Sequence, residues 1–317
     1  MDKQNLREVF TKYVNYTTTE DYKILLDIYL ELFFKIISEH PKLGHKNRME
    51  YDAAIVLQMM FTKALNLMEL TNEISYKSKS GKKLNKIVDP TVIAILVRNI
   101  YETTGTFNLI FRNTETEDEK EILYLLWVIS GLNYRQKFES SIIGKVNKEK
   151  HASEKEIIKK YCEKIESNRL FKSLDKKNQE KIRVRIKRKE YLIEIKNNEV
   201  KVFNFSELGK SMRVKNSLLD NIYNYFSQYT HPSNVSVFQY KDMFKRGSED
   251  YPKMVSFNLK ISFFFFSIFL ADIIDLFPET IKSFESLELT EQLIINHHNT
   301  FMRGIEYSIN DSWKLLD

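Results

Sequence analysis

Hydrophobic residues recur every three or four positions along most of this chain. Residues 21–40 and 49–70 show the pattern clearly, with polar residues filling the positions between. Such spacing places the apolar side chains on one face of an α-helix. The same reasoning predicts helices over 90–112, 119–142, 153–167, 174–184, 207–212, 215–231, 251–277 and 290–307.

Residues 191–205 differ from the rest because apolar and polar residues alternate there on each side of Asn197-Asn198. Alternation is typical of a strand, and two alternating runs about such a turn predict a small β-hairpin. The segment 73–86 reads as a basic loop. The pattern therefore predicts an all-α multi-helix bundle, forming a single domain over residues 1–317, with one small hairpin.

The composition agrees with long helices and short connections. The 317 residues include only 8 Gly and 5 Pro, whereas sandwiches, barrels and nucleotide-binding α/β folds use many of both in their turns. The single cysteine, Cys162, excludes an internal disulfide framework and a Cys-based zinc site. Polar residues near the N-terminus interrupt any signal-peptide pattern, so we expect a protein of the reducing cytoplasm.

One segment is apolar enough to suggest a membrane. Residues 261–271 carry four consecutive Phe, but Lys260 and Asp272 limit the run to 11 residues. A helix needs roughly 20 residues to cross a bilayer. We therefore expect a buried core helix and no membrane partner.

The net charge of +6 is unevenly distributed. Residues 145–218 contain 22 Lys and Arg against 11 Asp and Glu, a net +11, which leaves −5 on the remainder. This basic insert has the charge of a surface for a polyanion such as RNA, and it is also what a solvated helical surface with interspersed Glu would show. Its candidate nucleic-acid-binding residues are Arg183, Arg185, Lys187, Arg188 and Lys189.

Two predicted helices carry polar residues within otherwise apolar sequence. Arg98 and Glu102 lie four residues apart, so their side chains share a helix face and can form an ion pair. Ser227 and His231 have the same spacing, and Asn224 extends their face by one turn. Because an unpaired charge is costly to bury, these groups are expected to meet each other or a ligand.

Helix boundary signals frame both segments. Asp89-Pro90 is a strong helix start, since Asp caps free N–H groups and Pro loses no hydrogen bond at the first position. His231-Pro232 ends the second helix, where the helix dipole favours a protonated imidazole. Histidine is the usual acid or base near neutrality, which makes His231 the leading catalytic candidate.

Other chemistry finds no support in the sequence. The remaining five histidines are weaker candidates, among them His297-His298, which has no acidic partner at metal-ligand spacing. There is no HExxH, CxxC, P-loop or GxGxxG motif, so zinc proteases, NTPases and dinucleotide enzymes are not indicated. We expect neither a metal nor a cofactor.

The stretches "LVRNIYETTGTFNLIF" and "SELGKSM…YNYFSQYTHPS", within residues 89–233, resemble a group of uncharacterised bacterial all-helical proteins. In that group an "RxxxE" helix pairs with a helix that ends in a Ser-to-His signature. The group is placed with the HEPN superfamily, which includes metal-independent RNases of toxin and phage-defence systems. The resemblance implies a HEPN-like bundle, RNA as a partner, a homodimer, and an antitoxin or defence-system partner.

The chain departs from the catalytic pattern of that superfamily. In those RNases four to six residues separate an Arg from the His that follows it, whereas the corresponding positions before His231 hold Asn224, Tyr225 and Phe226. The ribonuclease hypothesis therefore requires Arg98 to act from the other helix. His231 would then exchange a proton with the ribose hydroxyl or the leaving oxygen, Arg98 would stabilise the phosphate, and Glu102 would orient Arg98.

The alternative hypothesis is a non-catalytic binding or structural module. In that case Arg98, Glu102 and His231 form a buried polar network that holds helices in register, and the basic insert docks a partner. The two hypotheses differ in the setting of these residues. Catalysis needs Arg98 and His231 within hydrogen-bond reach of each other and lining an open cleft continuous with the basic insert, whereas the module has both sealed inside.

Overall fold

A computed structural model describes residues 3–84, 86–141, 144–215, 218–231, 233–243 and 250–315. It is 75% helical, which confirms the all-α multi-helix bundle and the small hairpin. The α-helices of these residues are α1 Lys3–Val14, α2 Thr19–Glu39, α3 Arg48–Leu70, α4 Pro90–Phe107, α5 Glu117–Arg135, α6 Lys145–Ser167, α7 Arg169–Ser173, α8 Lys176–Arg188, α9 Leu208–Ser211, α10 Ile222–Thr230, α11 Asn234–Met243, α12 Asp250–Leu276, α13 Ile281–Glu285 and α14 Leu289–Arg303.

The chain folds as two compact units. The first unit comprises residues 1–107 and 212–317, and the second comprises residues 108–211. The predicted basic insert, 145–218, therefore forms most of the second unit, which also includes α5 and its preceding turn. The first unit contains α1–α4 and α10–α14, so the two helices with the candidate catalytic residues lie in the same unit.

The core of the first unit is built around α12, which packs against α2, α4 and α14. Its Phe263, Phe265, Phe266 and Phe269 are fully buried. This burial confirms that residues 261–271 form a core helix. Their aromatic content reflects packing, since rings of this size supply much of the buried area of a core.

By length and composition alone, one described helix, α3, is long and apolar enough to cross a membrane. Within the protein, 39% of its apolar window is buried. α12 and the segment 278–285 would pass the same test only as a broken span bent by 117°. Core helices of soluble proteins also meet these criteria.

Local signals predicted several boundaries correctly. α4 begins at Pro90, and the Asp89 carboxylate accepts a hydrogen bond from the Thr91 backbone N–H at 2.8 Å. The hairpin pairs β1 (Ile193–Lys196) with β2 (Glu199–Val202). Asn197 and Asn198 both have positive φ angles, 51° and 60°, as a two-residue hairpin turn of this kind requires.

Other boundaries differ from the predictions. The long helix predicted over 215–231 is the short α10, preceded by a turn in which Asn221 has a φ of +63°. Asn tolerates this left-handed conformation because its short side chain can hydrogen-bond locally, so the helix cannot extend back through it. Pro232, predicted to end that helix, lies outside the described residues. Beyond Phe107, the turn Asn108–Arg112 is π-helical.

Residues 73–84 and 86 contain backbone pairing that the predicted loop lacks. Ile74 pairs with Ile87 and Lys77 with Lys83 in isolated antiparallel bridges. The segment contains no alternating apolar run, and its ladder is held by backbone hydrogen bonds. The sequence pattern therefore gave no strand signal here.

Candidate functional site

The site predicted from sequence lies where α4 packs against α10 in the first unit. The ring of Tyr101 on α4 is buried and lies 6.0 Å from the ring of Tyr223 on α10. The expectation that these two helices meet is thus confirmed. Because the apolar faces of α4 and α10 pack together, the polar side chains of the two helices lie at the edge of the contact.

Arg98 is the centre of this arrangement. Its Nε donates to Glu102 Oε1 at 3.0 Å, its Nη1 to Thr230 Oγ1 at 2.9 Å, and its Nη2 to the Tyr223 hydroxyl at 2.5 Å. The guanidinium carbon also lies 4.5 Å from the centre of the Tyr223 ring. We call these four residues the Arg98 cluster. Every guanidinium nitrogen has a protein acceptor, so the arginine is held in one position.

The cluster lies at the boundary between core and solvent. The Arg98 side chain is 18% exposed and the Glu102 side chain 26% exposed. Charges at this depth keep part of their hydration, which lowers both the cost of burial and the strength of the pair. The ion pair predicted from the four-residue spacing is therefore present, in a half-buried setting.

A second set of contacts fixes α10 beside the start of α4. The Tyr225 hydroxyl donates to Asn258 Oδ1 at 3.1 Å, and the fully buried Asn258 amide donates to the Pro90 carbonyl oxygen at 3.0 Å. Burial raises the pKa of the Tyr225 hydroxyl, which keeps it protonated as a donor. These bonds join α4, α10 and α12 through one half-buried hydroxyl and one fully buried amide.

His231 does not join the Arg98 cluster. It follows the last residue of α10 in an extended conformation and is exposed. Its backbone oxygen accepts from the Ser233 N–H at 2.6 Å. Among the described residues its imidazole makes no hydrogen bond or ion pair. Arg98 contacts the residue before it, Thr230, through the threonine hydroxyl.

The two supporting residues also point elsewhere. The Ser227 hydroxyl donates to the Tyr223 carbonyl oxygen of its own helix at 2.7 Å, and exposed Asn224 lies 3.4 Å from Asn221 Oδ1. The residues that do complete the cluster, Tyr223 and Thr230, were missed. Their seven-residue spacing was the available signal, because residues two turns apart share one helix face.

The predicted nucleic-acid-binding residues lie on the second unit, and three of the five face carboxylates. Arg183 forms a two-point contact with Glu166, with both N···O distances 2.7 Å. Arg185 pairs with Glu190, and Lys187 lies 3.9 Å from Glu180. Arg188 is exposed, and Lys189 closes α8 in a left-handed conformation. Much of this charge is therefore balanced within the unit itself.

Sequence reasoning also missed a buried ion pair in the first unit. Arg303 donates to both oxygens of Asp272 at 2.8 and 2.7 Å and to the Met212 carbonyl oxygen at 2.7 Å. The Arg303 and Asp272 side chains are 3% and 7% exposed. The two residues lie 31 positions apart, so no local spacing rule links them.

His298, set aside at the sequence level, is the most enclosed histidine of the described chain. Its Nδ1 lies 2.6 Å from the Tyr29 hydroxyl, and its ring stacks against Phe263 with centroids 5.8 Å apart. Burial, reinforced by His297 and Lys260, lowers the pKa of His298 to about 3. A neutral imidazole bonded to a tyrosine in a core is a packing element.

Across the described residues, no group of three or more His, Cys, Asp or Glu side chains is placed to hold a metal ion. Comparisons with known protein families, with curated proteins and with solved structures found no match to this chain.

Proposed function

We propose that the protein is a non-catalytic helical binding module in which the Arg98 cluster fastens α4 to α10. One observation carries this proposal: all three guanidinium nitrogens of Arg98 donate to oxygens of Glu102, Thr230 and Tyr223, and His231 is not among the partners. An arginine that serves a phosphate would have to give up these bonds first. The cost of leaving Glu102 and Tyr223 without their donor opposes that exchange.

The binding surface of such a module is proposed to lie on the second unit. Residues 108–211 contain 24 Lys and Arg against 17 Asp and Glu, whereas the first unit carries 25 against 26. A net charge of +7 on one unit favours an acidic partner and speeds its association. Arg188, which is exposed, is the predicted contact best placed to take part.

Unfolding measurements test the fastening role. In Arg98→Met, Glu102 loses its partner and α10 loses two hydrogen bonds to α4, so we expect the free energy of unfolding to fall by about 1–3 kcal/mol. Arg48→Met is the matched control, because Arg48 pairs with Asp52 at the same spacing but is 71% exposed. The control should lose less than about 1 kcal/mol. Equal stability of Arg98→Met and wild type would overturn the proposal.

A metal-independent ribonuclease of toxin or phage-defence type is the second candidate. One observation favours it: Thr230, which Arg98 contacts, is followed directly by the exposed His231. A phosphate placed against His231 would therefore lie beside α4, and Arg98 could reach it after releasing Thr230. The homodimer and the antitoxin or defence-system partner belong with this candidate.

An RNA-cleavage assay separates the two candidates. Wild-type protein is incubated with single-stranded RNA in the presence of a chelator, beside His231→Ala and Ser227→Ala. The module proposal expects no cleavage by any of them. Cleavage by the wild type and Ser227→Ala that is lost in a stably folded His231→Ala would instead establish the ribonuclease.

A further inference from the structure

The segment that follows α3 forms a small hairpin. Backbone hydrogen bonds join Ile74 to Ile87 in both directions, at 2.7 and 3.1 Å, and Leu84 N–H donates to the Tyr76 carbonyl oxygen at 2.7 Å. Gly81 closes the turn with a φ of +84°, a conformation that disfavours residues with a side chain. We call the described residues of this segment, 74–84, 86 and 87, the lysine hairpin.

One face of the lysine hairpin is apolar and uncovered. Leu84 and Tyr76 are opposite each other, and Ile74 lies two residues from Tyr76, so the three side chains share a face. Ile74 is 54% exposed, Tyr76 66% and Leu84 44%. A two-stranded hairpin is marginally stable alone and usually packs its apolar face on a core. This one presents that face to the outside.

The same hairpin is strongly basic. It contains five lysines and no acidic residue, and Lys86 pairs with the preceding Glu73 at 3.3 Å. Lys77 and Lys83 are directly opposite each other across the strands. Like charges in such a pair are destabilising. Both lysines project from the face opposite to Tyr76 and Leu84, whereas Lys82, two residues from Leu84, shares the apolar face.

The hairpin of the second unit shows how the chain builds one for internal packing. Its cross-strand pairs are Glu194 with Lys201 and Lys196 with Glu199, which balance in charge. Its apolar residues Ile193, Ile195 and Val200 are buried. In the lysine hairpin, by contrast, Ile74, Tyr76 and Leu84 are all more exposed than Val202 of the other hairpin (37%), and the paired lysines are unbalanced.

We propose that the lysine hairpin binds the surface of a membrane that contains anionic lipids. Ile74, Tyr76 and Leu84 would enter the boundary between headgroups and acyl chains, Lys82 on the same face would contact the lipid phosphates and carboxylates, and the other lysines would add longer-range attraction. Aliphatic side chains gain by leaving water for hydrocarbon but cannot stack on bases. Two of the three apolar side chains are aliphatic, so a lipid surface is favoured over a nucleic acid. The contact is peripheral and needs no spanning helix.

Vesicle cosedimentation with the full chain tests the proposal. We expect binding to phosphatidylcholine vesicles that contain phosphatidylserine, weaker binding at high salt, and little binding to phosphatidylcholine alone. Each lysine near an anionic surface strengthens binding roughly fivefold. Lys82→Gln, on the apolar face, should therefore weaken it roughly fivefold. Lys201→Gln, in the other hairpin, is the matched control and should leave binding unchanged.

The apolar half of the proposal has its own test. Leu84→Ser should weaken vesicle binding by about tenfold, because one side chain no longer enters the hydrocarbon boundary. Val146→Ser removes a side chain that is 76% exposed in the second unit and serves as control. Because both side chains are exposed, neither substitution should shift the unfolding transition. Absence of vesicle binding, equal binding to neutral vesicles, or binding to single-stranded RNA alone that Lys82→Gln weakens would each overturn the proposal.

Discussion

The first unit contains an arginine and a histidine at each of two sites, and the two sites differ in how deeply these residues are buried. α14 carries Arg303 and His298, both enclosed by the core. α4 carries Arg98 at the solvent boundary, and His231 is exposed at the end of α10. The comparison teaches that residue type and helical location do not determine the role of such a pair. The depth of burial determines that role, because it sets the free-energy cost of every unpaired charge.

The buried ion pair of Arg303 with Asp272, which we call the enclosed pair, contains no unpaired charge. Asp272 uses both carboxylate oxygens on Arg303, whose remaining Nε donates to a backbone carbonyl. Arg98 makes as many hydrogen bonds. Two of its acceptors, however, are neutral hydroxyls, and the third, the Glu102 carboxylate, is partly hydrated. The enclosed pair should therefore be far more sensitive to the loss of one partner.

The largest expected effect is that of breaking the enclosed pair. Arg303→Met leaves Asp272 buried without its counter-ion, so we expect a loss of about 3–5 kcal/mol in the free energy of unfolding, measured by urea denaturation. The double variant Arg303→Met with Asp272→Leu removes both charges and should be more stable than the single variant. A single variant within 1 kcal/mol of wild type would contradict this account of the pair.

Acid should destabilise the first unit through His298. Its folded-state pKa, about 3, lies below the ordinary value of 6.5, so the unfolded chain binds a proton that the folded chain refuses. Stability is therefore complete above pH 6.5 and falls by about 1.4 kcal/mol per pH unit between 6.5 and 3. His298→Gln, which keeps an acceptor for Tyr29, should have a flatter dependence of stability on pH. Identical slopes for the two proteins would exclude His298 as the source.

A smaller effect is expected from the Arg98–Glu102 pair itself. A double-mutant cycle with Arg98→Met and Glu102→Gln should give a coupling of about 0.5–1 kcal/mol at low salt, because both side chains are partly hydrated. The coupling should shrink in 1 M salt, where charges are screened within about 3 Å. The same cycle on Arg303 and Asp272 should change little with salt. Equal salt sensitivity would remove the distinction between the two sites.

Elements defined by neighbouring residues could be predicted from the sequence. The cap at Asp89, the Asn197-Asn198 turn and the apolar spacing of α2 and α3 each act over a few positions, and the structure contains all three features. The Arg98–Glu102 pair belongs to the same class, because four-residue spacing on a helix is enough to bring the side chains together.

Contacts between distant segments could not be predicted in this way. The choice of Tyr223 and Thr230 over His231 as partners of Arg98 depends on how α10 is rotated against α4. The Arg303–Asp272 pair depends on the packing of α14 against α12. Helix rotation and packing follow from the complementarity of whole faces, and no short motif encodes them.

The smallest expected effect is that of His231→Ala on stability. The imidazole is exposed and has no side-chain partner among the described residues, so the free energy of unfolding should change by less than about 0.5 kcal/mol. Asn224→Ala, another exposed position on α10, is the matched control. A loss above 1 kcal/mol in His231→Ala alone would show that His231 shares the structural role of the Arg98 cluster. If the free energy of unfolding is unchanged in His231→Ala, the fold is intact, and any effect of this substitution on RNA cleavage reports chemistry.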